Sequence, residues 1–308
     1  MGALKIIRPG LLTTVQDSGR WGFQSRGVPV SGAMDAHSHR LANLLAGNDD
    51  DAATLEVTLL GPQIEFDSAE RFAVAGAEFS LMLDDTAVPM NARVEARPGS
   101  CLRFGERLSG ARAYLAVRGG IDVPMVLNSR STHIVSGLGG YHGRALRAGD
   151  VVPIAGKTGP GQSLRINGEK RVRPLFLQQA GAKLRVIAGA GGDQLAGKRY
   201  IISTRSDRMG YRLEGPSLAT GTRSEPISSA VPTGAVQVPP DGQPILLMAD
   251  HATVGGYPVV ATVITADLPA AGQLAPGDWI EFALSSFETA DLALRDRSRA
   301  FAGGAGDI

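Results

Sequence analysis

The segment APGDWIEF, residues 275–282, decides the fold, and two segments elsewhere in the chain share its pattern. They are RAGDVVPI at 147–154 and RPGSCLRF at 97–104. Each places a glycine turn directly before a short apolar run. Glycine adopts the positive φ that a tight turn or bulge needs, and the residues after it resume an extended strand. The recurrence predicts that each segment closes a similar β unit and that the chain forms two related, barrel-like domains.

The composition also favours a mainly β protein. The 40 glycines and 18 prolines are spread between short apolar runs, so they predict many tight turns between short strands. A length of 308 residues suffices for two ordinary domains. The stretch 156–174 is rich in Gly, Pro and basic residues, which is typical of a connector. We therefore expect domains at 1–160 and 161–308.

Local patterns predict individual strands and two helices. The strand candidates are Leu4–Ile7, Leu55–Leu60, Gln63–Phe66, Phe72–Ala75, Phe79–Leu83, Ala113–Val117 and Leu184–Ile187. The clearer helix follows Ser31, a candidate N-cap, and ends at Gly47. A second helix is predicted for 286–301, with a serine cap.

Several classes of protein are disfavoured. A net charge of +1 argues against a nucleic-acid or anionic-membrane partner. No apolar stretch approaches the roughly 20 residues that span a bilayer, and the N-terminal MGALKIIRPG lacks the apolar core of a signal peptide. We expect a soluble cytoplasmic protein.

A metal site is not expected. Cys101 is the single cysteine, which excludes an intrachain disulfide and a cysteine-based site. His37 and His39 are two apart on the predicted helix and point to different sides, so we expect them on its surface.

Familiar nucleotide and hydrolase motifs are incomplete. Gly156-Lys157-Thr158 and Gly197-Lys198-Arg199 do not complete a P-loop, and 215–219 misses the last glycine of a nucleophile elbow. GLGGYHG at 137–143 does not open a dinucleotide-binding helix, although a backbone anion nest there stays open.

The first surviving motif is TTVQDSGRWG, 13–22, which sets Gln16 and Asp17 in a glycine frame as candidate substrate-binding residues. It runs on to Ser31 and Asp35 at the helix start, where free amides favour either an anion or a capping carboxylate.

The second motif, 118–140, contains three candidate substrate-binding residues, Asn128, Arg130 and Ser131. Arg130 can donate a bidentate pair of hydrogen bonds to a carboxylate or phosphate, and the alternative is a turn with a solvated arginine.

The third motif is STRSDRMGYRLEGP, 203–216. Its Asp207 and Arg208 either orient a ligand, as we predict, or form a structural ion pair.

The fourth motif, ADHATVGGYPVV at 249–260, carries the candidate catalytic residues Asp250, His251 and Tyr257. Gly255 and Gly256 let the backbone approach a ligand closely and are candidate binding residues. His251 is a possible switchable base, and the alternative is a hydrogen-bonded loop histidine.

Together these stretches resemble the biotin-dependent carboxyltransferase or allophanate hydrolase subunit 2 family. The resemblance is carried by TTVQDSGRWGFQSRGVPVSGAMD (13–35), RGGIDVP (118–124) with SRST (129–132), SDRMGYRLEGP (206–216) and ADHATVGGYPVVATVITADLP (249–269). The match spans roughly residues 4–283. The family includes KipA-type regulators and the C subunits (PxpC) of prokaryotic 5-oxoprolinases.

The resemblance implies two cyclophilin-like β-barrel domains with a few short helices. It also implies a hydrolase subunit, inactive alone, in a complex that cleaves 5-oxoproline to L-glutamate with ATP hydrolysis. The implied partners are a KipI-like small subunit (PxpB, allophanate hydrolase subunit 1 type) and a LamB/YcsF-type protein (PxpA). ATP is expected at a subunit interface. Biotin is not expected on this chain, because it has no Met-Lys-Met attachment signal.

One departure keeps alternatives open. The family is expected to carry Asp-Arg-Gln-Thr-Thr before Gly-Gly-Tyr-Pro, whereas this chain has Asp250-His251-Ala252-Thr253-Val254. Histidine in place of arginine removes a permanent positive charge, which is consistent with another substrate. The alternatives are a carboxyltransferase-like subunit for urea or a related amide with a separate biotin carrier, and a KipA-like regulator that binds a KipI-type inhibitor.

Overall fold

The computed structural model describes residues 2–156, 180–219 and 228–302, and it confirms a mainly β fold. The chain divides into two compact units, Met1–Trp21 with Ser31–Pro174, and Gly22–Val30 with Leu175–Ile308. No sequence pattern indicates that Gly22–Val30 groups with the second unit. The expected boundary at residue 160 and most of the expected connector lie outside the described residues, so the boundary stays a prediction.

In the described part of the first unit, nine strands form one antiparallel sheet that makes a half-barrel. The strands are β1 (Ala3–Arg8), β2 (Leu12–Gln16), β3 (Thr54–Thr58), β4 (Gln63–Phe66), β5 (Glu70–Leu83), β6 (Thr86–Val88), β7 (Arg93–Ala96), β8 (Cys101–Val117) and β9 (Val151–Pro153). The sheet order is β2-β3-β8-β4-β1-β9, and β5 pairs with β6, β7 and β8.

The long strand β5 joins two separate strand candidates, Phe72–Ala75 and Phe79–Leu83. The connection runs through Gly76, whose φ of 108° is open to glycine and strained for other residues. The register against β8 shifts just after this glycine, so the ladder absorbs an irregularity and continues. Alternating apolar residues of these strands form the core of the unit, with Leu4, Phe66 and Leu115 fully buried.

Helix α1 (Ala36–Ala46) packs on β5 and β8. Its N-cap is Asp35, whose Oδ1 accepts a hydrogen bond from the Ser38 N–H at 2.9 Å, so the expectation that Ser31 caps the helix is wrong. Ser31 lies in the preceding loop with φ 58°. The predicted stop at Gly47 is confirmed by its left-handed φ of 83°.

Buried polar contacts explain why the helix begins only after Asp35. The Met34 N–H donates to Glu56 Oε2 at 2.9 Å, and the Asp35 N–H donates to the Tyr114 hydroxyl oxygen at 2.8 Å. The Tyr114 hydroxyl itself donates to Glu56 Oε2 at 2.8 Å. Burial raises the pKa of Tyr114, so the hydroxyl stays a donor. The partners come from β3 and β8, so local sequence alone could not locate the helix start.

In the described part of the second unit, seven strands close into a barrel in the order β10-β17-β14-β15-β12-β11-β18. The strands of this unit are β10 (Gly181–Ala188), β11 (Arg199–Ile202), β12 (Gly210–Glu214), β13 (Ser229–Ala230), β14 (Ala235–Gln237), β15 (Ile245–Leu247), β16 (Val254–Gly255), β17 (Val259–Val263) and β18 (Trp279–Leu284). β10 and β18 pair in parallel and close the barrel, and β13 pairs with β16 in a separate small sheet.

Short helical segments complete the described structure. They are α2 (Leu268–Gly272), α3 (Phe287–Ala302) and 3-10 turns at Gln24–Arg26, Gly192–Leu195 and Thr265–Asp267. Helix α3 confirms the helix expected at 286–301, and the Ser286 hydroxyl oxygen accepts the Thr289 N–H at 3.2 Å. No helix within the described ranges is long and apolar enough to cross a membrane.

The three repeated glycine turns share one geometry. Gly99, Gly149 and Gly277 have φ of 82°, 88° and 93° and stand just before β8, β9 and β18. In every copy the side chain after the glycine accepts a backbone N–H from three residues earlier. The pairs are Asp278 Oδ2 with Ala275 N (2.8 Å), Asp150 Oδ2 with Arg147 N (2.7 Å) and Ser100 Oγ with Arg97 N (3.2 Å).

Each turn also fastens to another strand of its own sheet. The Gly277 N–H donates to Ile202 O at 2.8 Å, and the Ile202 N–H donates back to Asp278 O at 2.9 Å. Gly149 makes the same exchange with Ile6, and Gly99 makes it with Phe66. The turn therefore fixes both the direction and the register of the strand that follows.

We expect Asp278→Ala to lower the free energy of unfolding by about 1 kcal/mol, because the Ala275 N–H loses its acceptor. Gly277→Ala is expected to cost about 1–2 kcal/mol through its positive φ alone, since no atom lies within 4 Å of the new Cβ. Urea unfolding measures both. The matched control is Asp278→Asn, which keeps a side-chain oxygen, and an equal loss for Asn and Ala would contradict the capping role.

Candidate functional site

The Asp17 carboxylate joins two of the predicted motifs. Its Oδ1 accepts hydrogen bonds from the Gly19 N–H at 2.8 Å and from the Ser129 hydroxyl at 2.7 Å, and the Ser131 hydroxyl bonds to the same oxygen. Its Oδ2 accepts the backbone N–H of Arg130. Asp17 is buried, and both of its carboxylate oxygens accept hydrogen bonds from the protein itself. Asp17 and Ser131 therefore position loops, and their role in substrate binding stays a prediction.

Arg20 lies fully buried behind this clamp. Its Nε donates to Val126 O at 3.3 Å and its Nη2 donates to Ser131 O at 2.5 Å. Gly139, with φ 68°, packs against the same groups, because a Cβ there would lie 2.2 Å from Ser131 O and 2.5 Å from Arg20 Nη2. The glycine run serves close packing of backbone on a buried arginine.

Three amides of that glycine run are bonded within the protein. The N–H groups of Gly137, Gly140 and Gly143 donate to Ile134 O, Arg130 O and Gly139 O. An anion nest formed by the other amides of the run stays a prediction.

Gln16 lies one residue before the clamp and is fully buried. Its Nε2 donates to Thr14 Oγ1 at 3.0 Å and to Thr132 O at 3.1 Å. It holds strand β2 to the 129–132 segment, and its role in substrate binding stays a prediction.

A cleft of about 230 Å³ opens beside the clamp within the first unit. It brings together three predicted residues, Asp17, Asn128 and Arg130. The other lining residues are Ser18, Gly19, Asp49, Asp51, Ala52, Ala53, Gly119, Ile121, Met125 and Ala155. Sequence reasoning missed Asp49 and Asp51, because within GNDDD, 47–51, only the glycine was interpreted, as a helix stop.

The turn that presents Asn128 is strained. Leu127 and Asn128 have φ of 52° and 60°, and the Val126 N–H donates to Ser129 O at 2.8 Å. This is a two-residue hairpin turn, which suits asparagine but not leucine. A leucine there costs about 1–2 kcal/mol, and such strain tends to persist at functional sites.

Arg130 is held in part by its own loop. Its Nε donates to Val123 O at 2.9 Å, and its Nη2 lies 3.3 Å from Asp122 Oδ1. The side chains of Arg130 and Asp122 are 31% and 41% exposed, so water screens this pair and the guanidinium can also bind a ligand anion.

The second unit has a different polar centre, around Arg208 and Asp250. Arg208 Nε donates to Asp250 Oδ2 at 2.8 Å and Nη2 to Oδ1 at 3.1 Å, and both side chains are buried. The Asp250 N–H also donates to Arg208 O at 2.9 Å. Arg208 thus pairs with Asp250. Removing one partner would leave a buried charge, so the pair fixes two loops firmly.

His251 uses both ring nitrogens for structural bonds. Nδ1 lies 2.7 Å from Ala252 O, which can only accept, so Nδ1 carries the proton and Nε2 accepts from the Thr233 hydroxyl at 3.0 Å. Burial lowers the pKa of His251, which favours this neutral form. The geometry matches the hydrogen-bonded loop histidine, and a catalytic role stays a prediction.

The remaining predicted residues of this unit have separate positions. Asp207 Oδ1 accepts hydrogen bonds from the N–H groups of Met209 at 2.8 Å and Gly210 at 3.3 Å, and so closes a turn.

The 255–257 loop is a separate feature. Gly255 lies in β16, where a Cβ would be 2.4 Å from Gln237 Nε2, so the side chain of Gln237 already occupies the space beside this glycine. Tyr257 is 47% exposed. Gly256 follows Gly255 in the same loop. Within the described part of the chain, no hydrogen bond joins the side chains of Asp250, His251 and Tyr257 to one another.

The helix histidines correct another expectation. His37 and His39 are buried and not on the helix surface. His39 Nδ1 lies 3.0 Å from Thr54 Oγ1, and burial lowers its pKa. The described residues contain no group of three His, Cys, Asp or Glu side chains placed to hold a metal ion.

The described residues combine a half-barrel, a closed barrel and polar loop clusters within each unit. The family model described as "Carboxyltransferase domain, subdomain A and B" matches residues 26–284, and the chain belongs to this family.

Two 5-oxoprolinase subunits and one crystal structure are similar to this chain over most of its length. The chain is 42% identical over 307 residues to the C subunit of the Escherichia coli (strain K12) 5-oxoprolinase, covering 97% of this chain and 96% of that protein. It is 38% identical over 287 residues to the C subunit of the Haemophilus influenzae 5-oxoprolinase, covering 90% and 89%. The crystal structure of the K. lactis urea amidolyase matches with a TM-score of 0.90 and 31% identity, over 99% of this chain and 20% of that one.

We expect Asp17→Asn to destabilise the first unit by about 2 kcal/mol. The asparagine side chain has an N–H₂ group in place of one carboxylate oxygen, so the Ser129 hydroxyl or the Arg130 N–H would face a donor and not an acceptor. Asp85→Asn, at an exposed position, is the control and should change little. Urea unfolding at pH 7 measures the difference. Equal stability of the two variants would contradict the clamp.

Stability should also fall on acidification through His251. Its folded-state pKa is below the ordinary value, so the unfolded chain takes up the proton more readily. The contribution is complete above about pH 6.5 and is lost as the pH falls below that value. His251→Asn should therefore lose less stability between pH 7.5 and 5.5, while His39 retains its own contribution. An unchanged slope for His251→Asn would refute the assignment.

Proposed function

We propose that this chain is the C subunit of an ATP-dependent 5-oxoprolinase that hydrolyses 5-oxoproline to L-glutamate. The observation that supports it is the 42% identity to the E. coli protein over nearly the full length of both chains. The complex would be a cytoplasmic hydrolase with two partners, a KipI-like small subunit (PxpB) and a LamB/YcsF-type protein (PxpA). The chain is expected to be inactive alone.

The chemistry explains a need for ATP. A lactam is a poor electrophile, and transfer of the γ-phosphoryl group to its oxygen would make that oxygen a leaving group. Water can then add to the ring carbon, and donors placed around the developing negative charge stabilise the transition state. The ring C–N bond breaks to release the amine and leaves an acyl phosphate, which a second water hydrolyses to L-glutamate and inorganic phosphate. The sequence contains no P-loop, and the N–H groups of Gly137, Gly140 and Gly143 are already bonded within the protein. We therefore assign ATP to a subunit interface, not to a pocket of this chain.

Asp250, His251 and Tyr257 remain our candidates for contact with the reacting group. Asp250 would act as a positioning residue, since its carboxylate is bound to Arg208. His251 would hold the loop through Thr233. Tyr257 is the accessible member and the one whose hydroxyl can reach a ligand.

Tyr257→Phe tests this assignment without disturbing the core, because the side chain is half exposed. We expect kcat of the reconstituted complex to fall about tenfold or more, the order of a lost transition-state hydrogen bond. Tyr141→Phe is the matched control. Unchanged turnover for Tyr257→Phe would place the reacting group elsewhere.

The function itself is tested by phosphate release from ATP. The chain is purified with its small-subunit and LamB-type partners and assayed with and without 5-oxoproline. Substrate-stimulated release together with L-glutamate formation is the expected result. A complex that assembles but shows no stimulation would refute the proposal.

A second candidate is a carboxyltransferase-like subunit acting on urea or a related amide with a separate biotin carrier. The likeness to the K. lactis urea amidolyase favours it. The chain spans only 20% of that protein, so the activity of the whole enzyme does not transfer. Consumption of urea with a carboxylated biotin carrier would support this candidate.

A further inference from the structure

The cleft of the first unit has charges of both signs on its lining. Asp49 and Asp51 contribute carboxylates, and Arg130 contributes a guanidinium. Asp17 also lines the cleft, but its oxygens accept hydrogen bonds from Gly19, Ser129, Arg130 and Ser131. The side-chain groups left to meet a ligand are therefore two carboxylates, one guanidinium, the Asn128 amide and the Ser18 hydroxyl.

The three consecutive acids at 49–51 have two different roles. Asp50 pairs with Arg40 at 2.7 Å and is not part of the lining. Asp49 and Asp51, on either side of it, line the cleft and form no salt bridge with any described residue. Two neighbouring carboxylates without a cation suit a positively charged group of the ligand.

Arg130 and Asn128 offer the complementary chemistry. An arginine guanidinium and an amide N–H₂ both donate to a carboxylate. Their positions are fixed by the strained turn at Leu127 and Asn128 and by the Asp17 clamp on the Arg130 N–H. A rigid loop that holds its donors in place lowers the entropic cost of binding.

We infer that this cleft binds the zwitterionic head group of an α-amino acid. The carboxylate lies on Arg130 and Asn128, and the ammonium lies on Asp49 and Asp51. All lining residues belong to one unit of this chain, so the site is complete without a partner.

The proposed function identifies the amino acid as L-glutamate, and only this identity rests on that proposal. The nitrogen of 5-oxoproline is an uncharged amide, whereas ring opening releases an amine that is protonated at neutral pH. The two aspartates therefore favour the product over the lactam. Bound glutamate would make the cleft a product site that slows turnover as glutamate accumulates.

Calorimetric titration of the purified full-length chain tests the inference. The probes are L-glutamate, L-alanine, glutarate, which lacks the ammonium, and 5-oxoproline. L-Glutamate and L-alanine should bind, and glutarate and 5-oxoproline should bind at least about tenfold more weakly, the effect of roughly one lost charged contact. Affinity for L-glutamate should fall as salt is raised.

The variants separate the two ends of the ligand. Asp49→Asn and Asp51→Asn should each weaken L-glutamate about tenfold, and Arg130→Gln should weaken L-glutamate and glutarate alike. Asp50→Asn makes the same charge change outside the cleft and should leave binding unchanged. Circular dichroism confirms that each variant is folded.

Three results would overturn the inference: no binding of L-glutamate, equal or tighter binding of 5-oxoproline, or binding that Asp49→Asn and Asp51→Asn leave intact. The phosphate-release assay is independent of these titrations. A complex that cleaves 5-oxoproline while this chain fails to bind glutamate would refute the cleft and keep the function. If the chain binds glutamate but its complex does not cleave the lactam, the cleft is supported and the proposed function is refuted.

Discussion

A glycine at positive φ, followed by a side chain that accepts a hydrogen bond from its own turn, recurs at the start of three strands. Gly277 and Asp278 show it most fully, with the turn bonded both to itself and to Ile202. An L-residue at this φ pays a steric penalty, so the position is close to obligatory for glycine. The turn sets the direction of the strand that follows. Both the half-barrel and the closed barrel depend on this constraint.

Buried charge organises the loops that those strands carry. Asp17 gathers 129–131 around one carboxylate in the first unit, and Arg208 holds Asp250 in the second. In both cases the sequence offered a charged residue that looked free to bind a ligand. The structure gives each one a protein partner, because a buried ion that lacks partners is far more costly than one that has them. The residues left for ligands are their neighbours, Asn128, Arg130 and Tyr257.

Histidine in place of the arginine expected at position 251 fits this pattern. A neutral imidazole bonded to Thr233 and Ala252 occupies a buried position without a counter-ion. A guanidinium there would need a second acid beside Asp250, whose oxygens already bind Arg208. The substitution is therefore explained by burial and does not require another substrate.

The sequence by itself determined the β class, the repeated turn, the helix α3 and the membership of a family, because these rest on short-range φ preferences, strand periodicity and long ordered motifs. It also selected Asp17, Asn128 and Arg130, which meet in one cleft. Only the tertiary structure decided that Asp35 and not Ser31 caps α1, since the deciding partners, Glu56 and Tyr114, come from distant strands. It likewise decided that Asp49 and Asp51 line the cleft while Asp50 pairs with Arg40. Three identical neighbours differ only in what the fold brings opposite each one, and a linear sequence does not record that.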